Sequence, residues 1–155
     1  MRERRFAASV AISASPAEVF AFISDHRHVP EVLEGVERWQ PLGVATGLGA
    51  RFEVIMTVFG FPLHQVLVID LWDPPSEIGW VSEGGAIGQH GGWILRPTAQ
   101  GAEVSLEIGF RAPDALSNSA IGRLIEGAVR GRLERALARL REALEASATS
   151  SEPGP

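Results

Sequence analysis

The sequence predicts an α+β domain, and three observations carry that expectation. A serine-capped helix start stands close to the N-terminus, strand-like segments separated by turns fill residues 36–110, and a long amphipathic periodicity covers residues 117–146. Helices set apart from a run of sequential strands imply an antiparallel sheet with helices on one side of it.

Phe6 to Ile12 is a short apolar segment suited to a first strand. Ser15, Pro16 and Glu18 then form a capping box: the serine accepts an orphan backbone N–H, and proline at the first helical position has no N–H to leave unsatisfied. Val19, Phe20, Phe22 and Ile23 give this helix its apolar side. Residues 25–30 interrupt it, and Pro30 opens a second short helix that ends by Gly35. From Val36 to Phe110 about six strands follow. Arg51 to Phe59 and Leu63 to Trp72 make a hairpin around Gly60-Phe61-Pro62, and Asp73-Pro74-Pro75 stops its second strand. Glu77 to Glu83, Gly91 to Arg96 and Ala102 to Phe110 complete the run. Ser117 to Ala146 is a long amphipathic helix, and residues 147–155 lack an apolar anchor, which predicts a disordered tail after a single domain of residues 1–146.

Composition narrows the chemistry. The chain has 155 residues, of which 45% are hydrophobic, enough for one domain with a real core. It contains no Cys and no Tyr, and all 14 basic residues are Arg. Schiff-base, thiolate and phenol chemistry are therefore excluded, leaving His, Asp, Glu, Ser and Thr for proton or acyl transfer. A net charge of −5 argues against nucleic acid as a partner. No run of about 18 apolar residues suggests a transmembrane span, Glu3 spoils a signal-like N-terminus, and a cytoplasmic protein is expected.

Strand alternation assigns faces. Leu63, Gln65, Leu67, Ile69 and Leu71 are expected inward, opposed by His64, Val66, Val68, Asp70 and Trp72. Phe52, Val54, Met56 and Val58 share that inward side, as do Ile78, Trp80 and Ser82, and Val104, Leu106, Ile108 and Phe110. In GGAIGQHGGW, residues 84–93, neither phosphate-binding glycine spacing is present. Trp93 and Leu95 share one face, and Arg96 marks the other, with His90, as the solvent side. A β-bulge at Gly91-Gly92 would return His90 to the interior.

In the long helix, the apolar centres of Ile121–Val129 and Leu133–Leu144 differ by roughly 100° on a helical wheel, and a break near Gly127–Arg132 would reconcile them. Arg132 falls between Ile125 and Ala128 on that wheel. It either snorkels to solvent or meets an anion, from a ligand or an internal acid. Gln65 is the polar member of an apolar row and needs a partner from backbone or ligand. His26 and His28 in DHRHVPE are metal-ligand types without a third group placed by spacing, so no metal is assigned.

SASPAEVFAFISD, VERWQPLG, GARFEV, IDLWDPPSEIGWVSEGG, GGWILRP, GAEVSLEIGF and the closing helix, in that order over roughly residues 5–145, resemble the START-like polyketide cyclase/dehydrase and lipid-transport superfamily (SRPBCC). The resemblance implies a helix-grip fold: a curved antiparallel sheet of about seven strands wrapped around a long C-terminal helix, two short helices after the first strand, and an apolar cavity. It does not imply one shared reaction.

The expected function is binding of a small hydrophobic or lipid-like molecule, for transport or sensing, without a cofactor. Met56, Gln65, Trp80, Trp93, Phe110, Ile125, Val129 and Arg132 are the expected ligand contacts. The alternative is a polyketide cyclase or aromatase acting on a poly-keto substrate, which would need an acid/base group such as His90 in the cavity.

Overall fold

The computed structural model describes residues 2–58, 60–84, 88–112 and 120–150. Strand β1 (Arg2–Ile12) leads to helix α1 (Pro16–Ile23), a single 3₁₀ turn (His26–His28) and helix α2 (Val29–Val32). Strands β2 (Val36–Pro41), β3 (Arg51–Val58), β4 (Phe61–Asp73), β5 (Glu77–Ser82), β6 (Gly88–Thr98) and β7 (Gly101–Ala112) follow, and helix α3 (Ala120–Ser150) closes the chain. All seven strands form one antiparallel sheet in the order β1-β7-β6-β5-β4-β3-β2. Chain neighbours pair throughout β2 to β7, while the helices carry the chain from β1 at one edge to β2 at the other. This is the helix-grip architecture.

The capped start of α1 forms as its sequence dictates: Ser15 Oγ accepts the Glu18 N–H at 3.2 Å with Pro16 in the first turn. Val19 and Phe20 are buried by this helix. The inward rows expected from alternation are found in the core, including Phe52, Val54, Leu67, Ile69, Ile78, Trp80, Val104 and Leu106. One exception has a definite cause. The β4–β5 register shifts between Ile69 and Leu71. The extra residue, Asp70, reverses the alternation, so that Leu71 is 42% exposed while Trp72 packs against the core. The bulge therefore lies in β4. Strand β6 keeps unbroken register against β7 from Gly88↔Arg111 to Thr98↔Gly101, so no bulge occurs at Gly91-Gly92.

Helix α3 is also continuous, in contrast to the break expected near Gly127–Arg132, and it extends past Ala146 to Ser150. Its two halves have different surroundings. Leu133, Ala136, Leu137, Leu140 and Leu144 are buried in the core, whereas Leu124 is 69% exposed. The shift of the apolar stripe thus reflects a change of environment along one rod, and Gly127 has no atom within 4 Å of where a Cβ would stand. Polar contacts fasten the rod at its middle. Glu34, just after α2, accepts from Arg135 Nε at 2.6 Å and lies 3.7 Å from Arg139 Nη2. Arg132 Nη2 donates to the Thr57 carbonyl of β3 at 2.9 Å. Gly35 makes room for that contact, since a Cβ there would stand 3.0 Å from Thr57 O and 3.3 Å from Arg132 Cζ.

Leu140 is fully buried. Leu140→Ala should cost about 2–5 kcal/mol, read as a lower denaturant midpoint at unchanged slope. The Arg135 hydrogen bond, followed by the charges of Arg135, Arg139 and Arg132, lowers the Glu34 pKa below its ordinary 4.5. A lowered carboxyl pKa gives stability that is complete above the unfolded-state value and is lost as pH falls through the folded-state value. The stability difference between the parent and Glu34→Gln should therefore be largest above pH 4.5 and close below it, as followed by acid denaturation of both proteins.

Candidate functional site

A pocket opens between the α1–α2 segment and the adjacent end of the sheet. Phe22 and Ile23 from the end of α1, His26 and His28 from the 3₁₀ turn, and Val29, Val32 and Leu33 from around α2 form one wall. The sheet supplies the other: Trp39 from β2, Phe52 from β3, Ile69 and Trp72 from β4, Ile78 and Trp80 from β5, and Trp93 from β6. Ala45 of the β2–β3 connection reaches the rim, beside the exposed Leu42, Val44 and Leu48 of the same segment. The cavity volume is about 50 Å³, within a wider cleft of about 620 Å³ that includes open solvent. Among the described residues, no Arg, Asp or Glu is in the lining.

Aromatic contacts hold the walls in shape. Trp39 meets Trp80 edge-on at 6.3 Å between ring centroids and Phe52 at 5.8 Å, and Phe20 supports Trp72 edge-on at 5.1 Å. Such tilted and T-shaped pairs stabilise by about 0.5–1.5 kcal/mol beyond their burial. The chain has four tryptophans, and all four line this one pocket.

Gly91 seats one of them. Strand pairing places Gly91 opposite Trp80, and a Cβ there would come within 2.5 Å of Trp80 Cζ2 and 2.6 Å of Cε2. The indole therefore lies flat on bare backbone. Gly92 faces the other side, where a Cβ would approach the Ile78 carbonyl to 2.9 Å. These two contacts account for the paired glycines without a bulge.

His90 points to the outer face of the sheet, with its side chain 42% exposed, and its Nε2 bonds Glu3 Oε1 on β1. That hydrogen bond is the largest influence lowering the Glu3 pKa, with Arg5 assisting. The imidazole is thus outside the pocket, as strict alternation predicts. The histidines that do reach the pocket are His26 and His28, which their spacing alone raised only as metal-ligand types. His28 stacks on Phe22 at 3.9 Å with 9° between planes, and its Nδ1 donates to the Phe22 carbonyl at 2.8 Å. In the neutral ring that leaves the Nε2 lone pair as the available acceptor. Asp25 is engaged elsewhere: it accepts from Arg27 N, Nε and Nη2 at 3.0, 2.9 and 2.7 Å, and these bonds hold its carboxyl far below the usual range.

Of the residues expected to contact ligand, Trp80 and Trp93 come together in this lining. Met56, Gln65, Phe110, Val129 and Arg132 lie outside it, toward the β3–β4 hairpin end, where Met56 pairs with Leu63 and Phe110 with Gln89. The side chain of Ile125 is outside the described residues. Trp72 was hidden from sequence reasoning by the Asp70 bulge, and Phe22, His26, His28 and Trp39 by the need to know how the β1–β2 crossover lies.

The model of the polyketide cyclase/dehydrase and lipid transport family matches residues 3–145. The chain belongs to that family. Its fold is shared with TTHA0849 from Thermus thermophilus, at 20% identity over 94% of this chain and 99% of that one, with a TM-score of 0.76. The Zhui aromatase/cyclase of Streptomyces sp. R1128 aligns at 16% identity, over 95% and 96% of the two chains, with a TM-score of 0.72. Norcoclaurine synthase of Thalictrum flavum aligns at 14% identity, over 95% and 97%, also with a TM-score of 0.72. At these identities the likeness is one of fold. No curated protein matches the chain. No helix among the described residues is long and apolar enough to cross a membrane.

Gly91→Ala should lift Trp80 from its seat. The expected result is a loss of about 1–3 kcal/mol in denaturant unfolding together with a red-shifted tryptophan emission, whereas Gly127→Ala should leave both within error or slightly raise stability.

Proposed function

We propose that this family member binds a small hydrophobic molecule in the aromatic pocket, as a carrier or sensor working in the cytoplasm. The observation that carries the reading is the convergence of all four tryptophans, with Phe22 and Phe52, on one cleft whose lining, among the described residues, contains no Arg, Asp or Glu. A longer ligand would extend toward Met56, Gln65, Phe110 and Val129, with Ile125 and Arg132 on the helix side. Arg132 uses Nη2 on Thr57 and has further N–H groups to offer.

A cyclase reading has its own support. The Zhui protein is described as an aromatase/cyclase, and His28 here has a ring orientation fixed by the Phe22 carbonyl. An acid/base step would then run through His28 or His26 rather than His90, because His90 bonds Glu3 on the outer face.

Since every tryptophan lines the pocket, intrinsic fluorescence reports occupancy directly. Titration with a neutral apolar ring compound such as 2-ethylnaphthalene should quench or shift the emission saturably, and native mass spectrometry should show a one-to-one adduct. A linear, non-saturating response with no adduct would overturn the binding reading. Turnover of a poly-β-keto analogue that is lost in His28→Gln and retained in His90→Gln would replace it with the cyclase reading.

A further inference from the structure

Hydrogen-bond acceptors are unevenly placed around the pocket. The four tryptophans of its walls carry indole N–H groups, which only donate. Among the described lining residues, every side-chain acceptor belongs to one short stretch of chain, as Ser24, His26 and His28. A hydroxyl buried without an acceptor would lose about 1–3 kcal/mol, so this stretch decides whether a molecule bearing a donor fits.

The turn is built to present these side chains. Asp25 and Arg27 are not in the lining and are tied to each other: Arg27 Nε and Nη2 donate to Asp25 Oδ1 and Oδ2 at 2.9 and 2.7 Å, and the Arg27 backbone N–H donates to Oδ1 at 3.0 Å. The residues that alternate with this clamp, Ser24, His26 and His28, are the ones that reach the pocket. Ser24 Oγ already donates to the Ala21 carbonyl at 3.2 Å, and the His26 ring stands 6.2 Å from that of Phe52. His28 is held on two sides, by its stack on Phe22 and by the bond from Nδ1 to the Phe22 carbonyl. With the proton of the neutral ring on Nδ1, Nε2 is a bare acceptor. Nothing among the described residues bonds Nε2, and that atom is not sealed from solvent.

An acceptor whose direction is set before the ligand arrives has little ordering entropy left to lose on binding. A ketone or ether oxygen gains nothing from a lone pair, whereas a hydroxyl does. Resting on the binding function proposed above, we infer that His28 Nε2 is the polar recognition atom of the pocket, and that the molecule it selects is a neutral, largely apolar ring compound carrying a hydroxyl, such as a phenol. The aromatic walls hold the ring system of that molecule. Asp25 and Arg27 are positioning residues, which fix the turn that carries the imidazole from the side away from the pocket.

2-Naphthol and 2-methoxynaphthalene share a ring system and an oxygen and differ in the donor. At about pH 8, above the range in which free imidazole is protonated, both compounds are neutral. In the nitrogen NMR spectrum of the parent, the His28 Nε2 resonance should move upfield as 2-naphthol saturates the pocket, and move far less with 2-methoxynaphthalene. By calorimetry, the preference for 2-naphthol, taken as the ratio of the two dissociation constants, should fall about 3- to 10-fold in His28→Phe, which keeps an aromatic ring against Phe22. Changes in the apolar contacts that both compounds make cancel in this ratio, so the affinities themselves are free to change. His90→Gln, on the outer face, should leave the ratio as it is. If His28→Phe does not fold, the nitrogen shift in the parent carries the test alone. An equal Nε2 response to the two compounds, an unchanged ratio in folded His28→Phe, or an equal fall in His90→Gln would overturn this inference and leave the pocket reading intact. Failure of both compounds to bind the parent would overturn the pocket reading itself, and this inference with it.

Discussion

The burial of the Leu133, Leu137, Leu140 and Leu144 ridge of α3 is the contact on which the rest of the molecule depends. A sheet with one apolar face must have that face covered, and these leucines cover part of it from the last helix in the chain. Their close packing leaves no room for a ligand where they lie. The α1–α2 segment covers the neighbouring region differently, with a short helix, a single 3₁₀ turn and large rings that do not interdigitate completely. The pocket exists because these two coverings meet the same sheet with different degrees of closure.

Within the pocket, shape is set by backbone as much as by side chains. Gly91 allows Trp80 to lie against the sheet, and the bulge at Asp70 turns Trp72 inward. Both adjust the aim of an aromatic ring without changing the strand order. A helix-grip framework can therefore alter its cavity by such local changes, consistent with solved structures that share this fold at 20% identity or less.

Much of this was legible in the sequence, because regular patterns report regular structure. Alternation in Phe52–Met56, Leu67–Ile69 and Val104–Leu106 assigned the inner face, and the capping box placed α1. The exceptions are places where tertiary contacts decide. No residue type marks Asp70 as a bulge, so Leu71 and Trp72 were assigned to the wrong sides. Gly91-Gly92 has the composition of a bulge, yet its glycines answer to the Trp80 ring and the Ile78 carbonyl across the strands. The apparent break in α3 arose from treating two environments as one helix face.

The aromatic pocket and the ion pairs of the long helix respond differently to dissolved salt. Some of the polar contacts between α3 and its surroundings, Glu34 with Arg135 and Arg139 and Arg4 with Glu126, are ion pairs between partly exposed groups. Dissolved ions weaken such pairs, because the screening length shortens to about 3 Å at 1 M salt. Among the described residues, the lining of the cleft has no Arg, Asp or Glu on which such screening could act. Ionic strength therefore acts selectively, on these ion pairs rather than on the buried leucine ridge or the aromatic walls of the cleft.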